Sequence, residues 1–325
     1  MRILITGGTG TISYEASRLA LSRGWDLTIV NPRGIDDLGL LGARWIQADY
    51  HDPDALAKAV YGMSFDVVVD FLCYNRDQAE NIFAIFRDKT KQLIHISTAT
   101  VYSRPPDPPI VTEDAPLANP YWEYAQRKIE CELYYRERYQ KDGFPVTIVR
   151  PSQTYGRRIF PVALAGTSAC WTYLHMMKHG IPMVVHGDGN LLWTITHSED
   201  FAVGLCGLFA REESIGQAFH ITSDECMRWD DIIQVTAASL GVRAEIVHVP
   251  TEVIVEKIPF YRGPLLGDKA WDMRFDNSKI KSIVPEFKPA IPYRIGIQKV
   301  IDYLSKHPEL QVVDEAYLSS ISSLY

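Results

Sequence analysis

The sequence predicts a doubly wound α/β fold: a parallel sheet covered by helices on both faces, with a smaller, interleaved C-terminal lobe. Three observations predict it. Short apolar runs alternate with helical patterns through the first half of the chain. Those runs are β-branched and nearly continuous, as strands buried on both faces are. The first run, Ile3 to Thr6, ends in Gly7-Gly8-Thr9-Gly10 and leads straight into a helical pattern.

In order, that pattern runs from Ile12 to Arg23 and is closed by Gly24. Leu27–Val30 and Trp45–Ala48 follow as strands, then a helix over Pro53–Tyr61, a strand at Val67–Asp70 and a helix over Gln78–Phe86. Leu93–Ser97 is the fifth strand, Tyr121–Gln140 a long helix and Val146–Val149 the sixth strand. Beyond Arg150 the rhythm loosens. Helices are expected at Ala163–His179, Ser198–Ala210, Trp229–Leu240 and Tyr293–Ser305, and short strands at Met183–His186, Ala218–Thr222 and Glu245–Val249. The expected division is residues 1–157 as a nucleotide-binding unit, to whose sheet later strands return, and 158–325 as mainly a substrate lobe and tail.

A chain of 325 residues with 46% hydrophobic and 22% charged residues can bury a sizeable core, which argues against disorder. The formal net charge is −7 and no Lys/Arg run stands out, so nucleic acid is not an expected partner. No apolar stretch is long enough to span a membrane, and no signal peptide is visible. The five cysteines are odd in number and form no Cys-x-x-Cys pair. Neither a disulfide framework nor a metal site is expected, and a reducing, cytoplasmic setting is.

The glycine turn carries the first chemistry. Glycines between a strand and a helix allow positive φ and close approach to a pyrophosphate, and the helix N-terminus offers free N–H groups. Gly7, Thr9, Gly10, Thr11 and Ile12 are therefore candidate cofactor contacts in a Rossmann-type unit, with Ser13 where a third glycine is usual. At the end of the second strand stand Asn31-Pro32-Arg33 instead of an acidic residue. Asn31 can bond a ribose and Arg33 can pair with a 2′-phosphate. That tilts the expectation slightly towards NADP over NAD.

Tyr124 and Lys128 are four residues apart, on one face of a helix if the segment is helical. A tyrosine with a pKa of about 10 is a poor base. A nearby ammonium and a positive nicotinamide ring both favour its phenolate. Tyr124 could then take a proton from a substrate hydroxyl as hydride leaves the same carbon. The strand end Ile96-Ser97-Thr98-Ala99-Thr100 offers a third partner. Thr98 fits best as the hydroxyl that orients the substrate oxygen, with Ser97 and Thr100 as competitors.

With these motifs in order, the chain resembles an extended short-chain dehydrogenase/reductase of the NAD-dependent epimerase/dehydratase superfamily, from residue 1 to about residue 305. Further markers are Asp49, Arg150-Pro151-x-x-x-Tyr155-Gly156, Gly187-Asp188-Gly189, His197-x-x-Asp200 and Asp276-x-x-Lys279. The resemblance implies that Asp49 and Tyr50 flank the adenine, that Phe71, Leu72 and Ser97 line the cofactor cleft, and that Lys128 also bonds the nicotinamide ribose. It places Pro151 and Ser152 by the carboxamide and Gln153 near the sugar, with Tyr155, Trp193 and Arg274 as further substrate candidates.

Departures narrow this. Ala99 and Thr100 stand where dehydratases of the group carry an Asp-Glu pair. Trp193 stands where nucleotide-sugar enzymes usually place a diphosphate-gripping arginine, and Leu72 where a small residue is usual. Similar variants occur in a branch that includes chloroplast stem-loop RNA-binding relatives, but this chain keeps the tyrosine–lysine pair. The expectation is an NAD(P)-dependent epimerase acting on a sugar or sugar conjugate by transient oxidation at a hydroxyl-bearing carbon. The alternatives are a dehydrogenase or ketoreductase with net turnover and, from another class, a non-catalytic cofactor- or RNA-binding relative. His197 is read as structural and Arg104–Pro109 as a stiff loop or a site rim. The tail Glu309–Tyr325 could pack on the body or across a homodimer contact.

Overall fold

The computed structural model describes residues 1–33, 39–166 and 170–325. Its strands are β1 (Arg2–Thr6), β2 (Asp26–Asn31), β3 (Arg44–Gln47), β4 (Val67–Asp70), β5 (Leu93–Ile96), β6 (Ile110–Val111), β7 (Val146–Arg150), β8 (Gln153–Tyr155), β9 (Met183–His186), β10 (Leu192–His197), β11 (Ala218–His220), β12 (Cys226–Arg228), β13 (Ile246–Val249) and β14 (Arg274–Phe275). Seven of them form one sheet in the order β11-β7-β5-β4-β1-β2-β3. Every pairing in it is parallel. The Rossmann-type fold expected from the alternating runs is present, and the order of strands reverses at β1 and β4. A crevice opens at their carboxyl ends, where such sheets bind ligands.

The principal helices of the first half are α1 (Ser13–Ser22), α2 (Pro53–Ala59), α3 (Arg76–Phe86) and α4 (Glu123–Asp142). Asp52 and Asn75 cap α2 and α3 by accepting from main-chain amides. Gly143, at φ 67°, ends α4 in the left-handed conformation. One apolar layer packs α1 and Ser198–Gly207 on one face of the sheet. A second packs α2, α3 and α4 on the other. A third core joins Trp193, Trp229 and Tyr293 of the later residues to Tyr102, Val111 and Tyr155 of the earlier ones. Residues after 157 return to earlier elements: β11 pairs with β7, β10 with β8 and β14 with β6, and the helix Ser198–Gly207 packs on α1.

The main departure is the helix expected over Ala163–His179, which spans Trp171–Lys178; residues 167–169 of that range lie outside the described ones. The strands β6, β8, β10, β12 and β14 were not separately expected; three of them form a small sheet in the order β12-β10-β8. The tail folds as a helix over Glu315–Ser322 against the body, with Ile321 buried and the Tyr317 hydroxyl donating to the Leu164 carbonyl at 2.7 Å.

Candidate functional site

At the crevice, Gly7 has φ 67°, a conformation that favours glycine. Ser13 fills the place of the third glycine without disturbing the turn. Its hydroxyl donates to the Gly7 carbonyl at 2.5 Å and accepts from the Gly10 amide at 2.9 Å. The Thr11 and Ile12 amides donate to no acceptor among the described residues. They stand immediately before the first turn of α1, where a pyrophosphate would find free donors.

The crevice has two lobes. One, of about 340 Å3, is walled by Gly7, Gly10, Thr11, Ile12, Phe71, Leu72, Tyr74, Ser97, Thr98, Tyr124, Lys128, Pro151 and Ser152. The other, of about 360 Å3, is walled by Gly7, Thr9, Asn31, Arg33, Asp49, Tyr50 and Leu72. Gly7 and Leu72 belong to both, so together the lobes gather every expected cofactor residue and all three catalytic candidates. The groove, the free amides and the φ of Gly7 fit a dinucleotide. Leu72 narrows the waist.

The second lobe is partly pre-set. The Asn31 side chain accepts from the Arg33 amide at 2.8 Å, and Arg33 itself is exposed. Tyr50 is buried and donates through its hydroxyl to Asp70 at 2.9 Å. Thr6 donates to the other oxygen of the same carboxylate at 2.7 Å. Burial raises the Asp70 pKa against these bonds. Asp70 thus ties the ends of β1 and β4 together beneath the waist.

In the first lobe Thr98 caps the short helical turn Ala99–Val101 and lines the same wall as the Tyr124 phenol, close enough to oppose the rise of its pKa. Thr100 reaches Thr98 at 3.2 Å, and the Ser97 hydroxyl is spent on Glu132 at 2.6 Å. Of the three hydroxyls, Thr98 is the one set beside Tyr124. Two features correct the expectation. Lys128 Nζ donates to the Cys73 and Ile96 carbonyls at 2.5 and 2.8 Å, and the Tyr74 ring stands 4.8 Å from it. Burial raises the Tyr124 pKa, with Tyr74 adding and Thr98 opposing. Burial thus acts on the phenol in the direction opposite to the phenolate expected beside an ammonium and a nicotinamide ring.

The substrate candidates divide. Gln153 is half-buried on β8, beside Ser152 in the cleft wall. Tyr155 and Trp193 are each 1% exposed. Tyr155 packs edge-on against His197 and Tyr293, and Trp193 lies 5.4 Å from Trp229. Both are core side chains. Arg274 is half-buried on β14 and lines neither lobe. His197 caps the helix Ser198–Gly207, accepting from the Glu199 amide, the structural part expected of it.

Sequence reasoning missed Tyr74, for which no motif exists. It also missed the roof of the site. Asn119 Nδ2 donates to the Thr100 and Gly267 carbonyls, and Arg104 joins the Ala99 carbonyl to Asp268, each at 3.3 Å. Segment 262–270 is thereby fastened over Trp122 and the start of α4, and Arg104 is a rim residue held inward.

Several comparisons place the chain. It is 24% identical over 290 residues, covering 89% of this chain and 80% of the relative, to 2'-dehydrokanamycin reductase of Streptomyces kanamyceticus. It is 26% identical over 264 residues, 76% of this chain and 65% of the relative, to the chloroplast stem-loop binding protein of 41 kDa b of Arabidopsis thaliana. The structure of UDP-glucuronic acid 4-epimerase from Bacillus cereus, in complex with UDP-glucuronic acid and NAD, superimposes with a TM-score of 0.75 at 20% identity. That match covers 94% of this chain and 99% of the epimerase. Residues 3–221 match the NAD dependent epimerase/dehydratase family, so the chain belongs to that family and is an enzyme of the extended short-chain dehydrogenase/reductase type.

Proposed function

We propose that this enzyme moves hydride at a hydroxyl-bearing carbon of a sugar or sugar conjugate, with Tyr124 exchanging the proton on the substrate oxygen. The observation that carries this reading is that Thr98, Tyr124 and Lys128 line one cleft with the Gly7–Ile12 turn. A bound nicotinamide supplies or accepts the hydride. Gly7, Gly10, Thr11 and Ile12 hold the pyrophosphate, Asn31, Arg33, Asp49 and Tyr50 the adenosine end, and Pro151 and Ser152 the nicotinamide end. Thr98 orients the substrate oxygen. Lys128 keeps the end of β4 and the end of β5 at a fixed spacing, and reaches a ribose once Tyr74 moves aside.

In the epimerase reading the hydride returns to the opposite face of the same carbon. A net ketoreductase is the second reading, and two observations favour it. Trp193 is locked in the core where a diphosphate grip is usual, and 2'-dehydrokanamycin reductase resembles this chain over most of both lengths. A 4,6-dehydratase is disfavoured by Ala99 and Thr100. The deciding experiment is cofactor absorbance during turnover of candidate keto and hydroxy sugars. Steady loss of NADPH or NADH supports the reductase, whereas product without net change, from enzyme purified with bound dinucleotide, supports the epimerase. Unimpaired turnover by Tyr124→Phe overturns both.

A further inference from the structure

The proposed reaction asks one substrate oxygen to meet two side chains that come from different elements. Thr98 caps the short turn Ala99–Val101 after β5, and Tyr124 stands in the first turn of α4. Further along α4, Lys128 donates to the Ile96 carbonyl at 2.8 Å and Glu132 accepts from the Ser97 hydroxyl at 2.6 Å. Those ties hold the second and third turns of the helix to the end of β5. They leave the first turn, where Tyr124 is, to be placed by the segment that leads into it.

Asn119 stands in that segment and is 3% exposed. Both N–H donors of its side-chain amide are used, one on the Thr100 carbonyl at 2.7 Å and the other on the Gly267 carbonyl at 2.6 Å. Its Oδ1 accepts from the Tyr121 amide at 3.2 Å, and its carbonyl accepts from the Gln126 side chain on α4 at 3.3 Å. One buried residue thus joins the turn that carries Thr98, the entry to α4 and a segment from the second half of the chain. That segment includes the π-helical turn Leu265–Lys269, and it lies flush on the entry to α4. A Cβ on Gly267 would stand 2.7 Å from Trp122 Cβ and 3.2 Å from Asn119 Oδ1. The Trp122 ring in turn lies 5.1 Å from the Tyr124 ring. Arg104 makes a second link beside the first, from the Ala99 carbonyl to Asp268.

We propose that Asn119 is a positioning residue for the reaction: by donating to Thr100 and Gly267 it sets the spacing between the Thr98 hydroxyl and the Tyr124 phenol. Proton exchange thereby depends on residues 262–270. This rests on the reading of Thr98 and Tyr124 as the pair that meets the substrate oxygen. Asn119 lines neither lobe of the crevice and acts through those two. The leverage is large, because a displacement of about 1 Å between reacting groups costs about a hundredfold in rate.

The test is a double-mutant cycle on kcat, read on whichever of a panel of keto and hydroxy sugars the wild type turns over fastest. Asn119→Asp keeps the shape of the side chain and sets an acceptor against two carbonyls. It should lower kcat about tenfold or more and leave dinucleotide affinity at the wild-type value. In a Thr98→Ala background, which already lacks the hydroxyl that Asn119 places, the same substitution should cost no more than about twofold. A merely structural role would cost the same factor in both backgrounds. Wild-type kcat in Asn119→Asp, equal losses in the two backgrounds, or a matching loss of dinucleotide affinity would overturn the proposal. Should Asn119→Asp fail to fold, Gly267→Ala, which presses on Trp122, takes its place under the same criteria. Tyr124→Phe separates the two readings. A near-normal rate there removes the pair itself, whereas a crippled Tyr124→Phe beside an additive Asn119→Asp removes Asn119 alone.

Discussion

Leu72 lies against Gly7 at the waist of the crevice, so close that a Cβ built on Gly7 would stand 2.9 Å from Leu72 Cδ2. A dinucleotide that spans both lobes has to cross this point. Leu72→Ala should therefore tighten cofactor binding by about threefold to tenfold, by removing the cost of turning the side chain away. Titration by nicotinamide fluorescence measures it. Equal or weaker affinity in the variant would show that Leu72 is no obstacle.

Tyr124→Phe should lower turnover on the order of a hundredfold or more and leave dinucleotide affinity intact. Steady-state kinetics beside equilibrium titration separate the two effects. A near-normal rate would remove Tyr124 from the reaction.

The pH dependence follows from the same residue. Burial holds the Tyr124 phenol above its ordinary pKa, so at neutral pH it carries its proton. Oxidation needs the deprotonated form and should rise with pH from neutral into the alkaline range, by about tenfold per unit at the steepest. Reduction uses the form already present and should stay level until the phenol titrates. Initial-rate profiles in both directions test this. An oxidation profile that is flat, or one that keeps its slope in Tyr124→Phe, would contradict it.

Arg33 is the residue through which a preference between the two cofactors can be tested. It is exposed at the wall of the second lobe, where a 2′-phosphate would reach it. Arg33→Ala should weaken NADP binding by about tenfold and NAD binding little, as expected for a lost charge-assisted contact. A clear preference for NAD that survives the substitution would end the idea.

Behind the site, Arg150 and Glu132 form an ion pair at 2.6 Å whose side chains are 0% exposed. Ser97 donates to the same carboxylate, and Arg150 also donates to the Tyr102 hydroxyl at 2.7 Å, which in turn is bonded to His220. Glu132→Leu alone should cost about 3–5 kcal/mol, because it strands a buried guanidinium. Glu132→Leu combined with Arg150→Met should recover part of that loss. Urea denaturation reads both, and a single variant as stable as wild type would refute the assignment.

The central sheet was legible because parallel strands covered on both faces must be continuously apolar, as Val67–Val69 and Leu93–Ile94 are. The cofactor turn was legible because glycine at Gly7 answers a backbone requirement that the chain states openly. Tyr124 and Lys128 were legible as a pair, but the posture of Lys128 was not. It depends on the carbonyls of Cys73 and Ile96, and main-chain acceptors leave no mark in a sequence. Trp193 misled for a related reason: an indole serves a core and a binding face equally well, and only the position of Trp229 decides between them.

The return of Ala218–His220 to the sheet has a consequence for assembly. Val146–Arg150 is covered on its outer side by a strand synthesised some seventy residues later. A fragment that stops at residue 157 would leave this wholly buried strand as a bare border, with its amides and carbonyls open to any extended chain nearby. The first half stays adhesive along that border until the second half closes it.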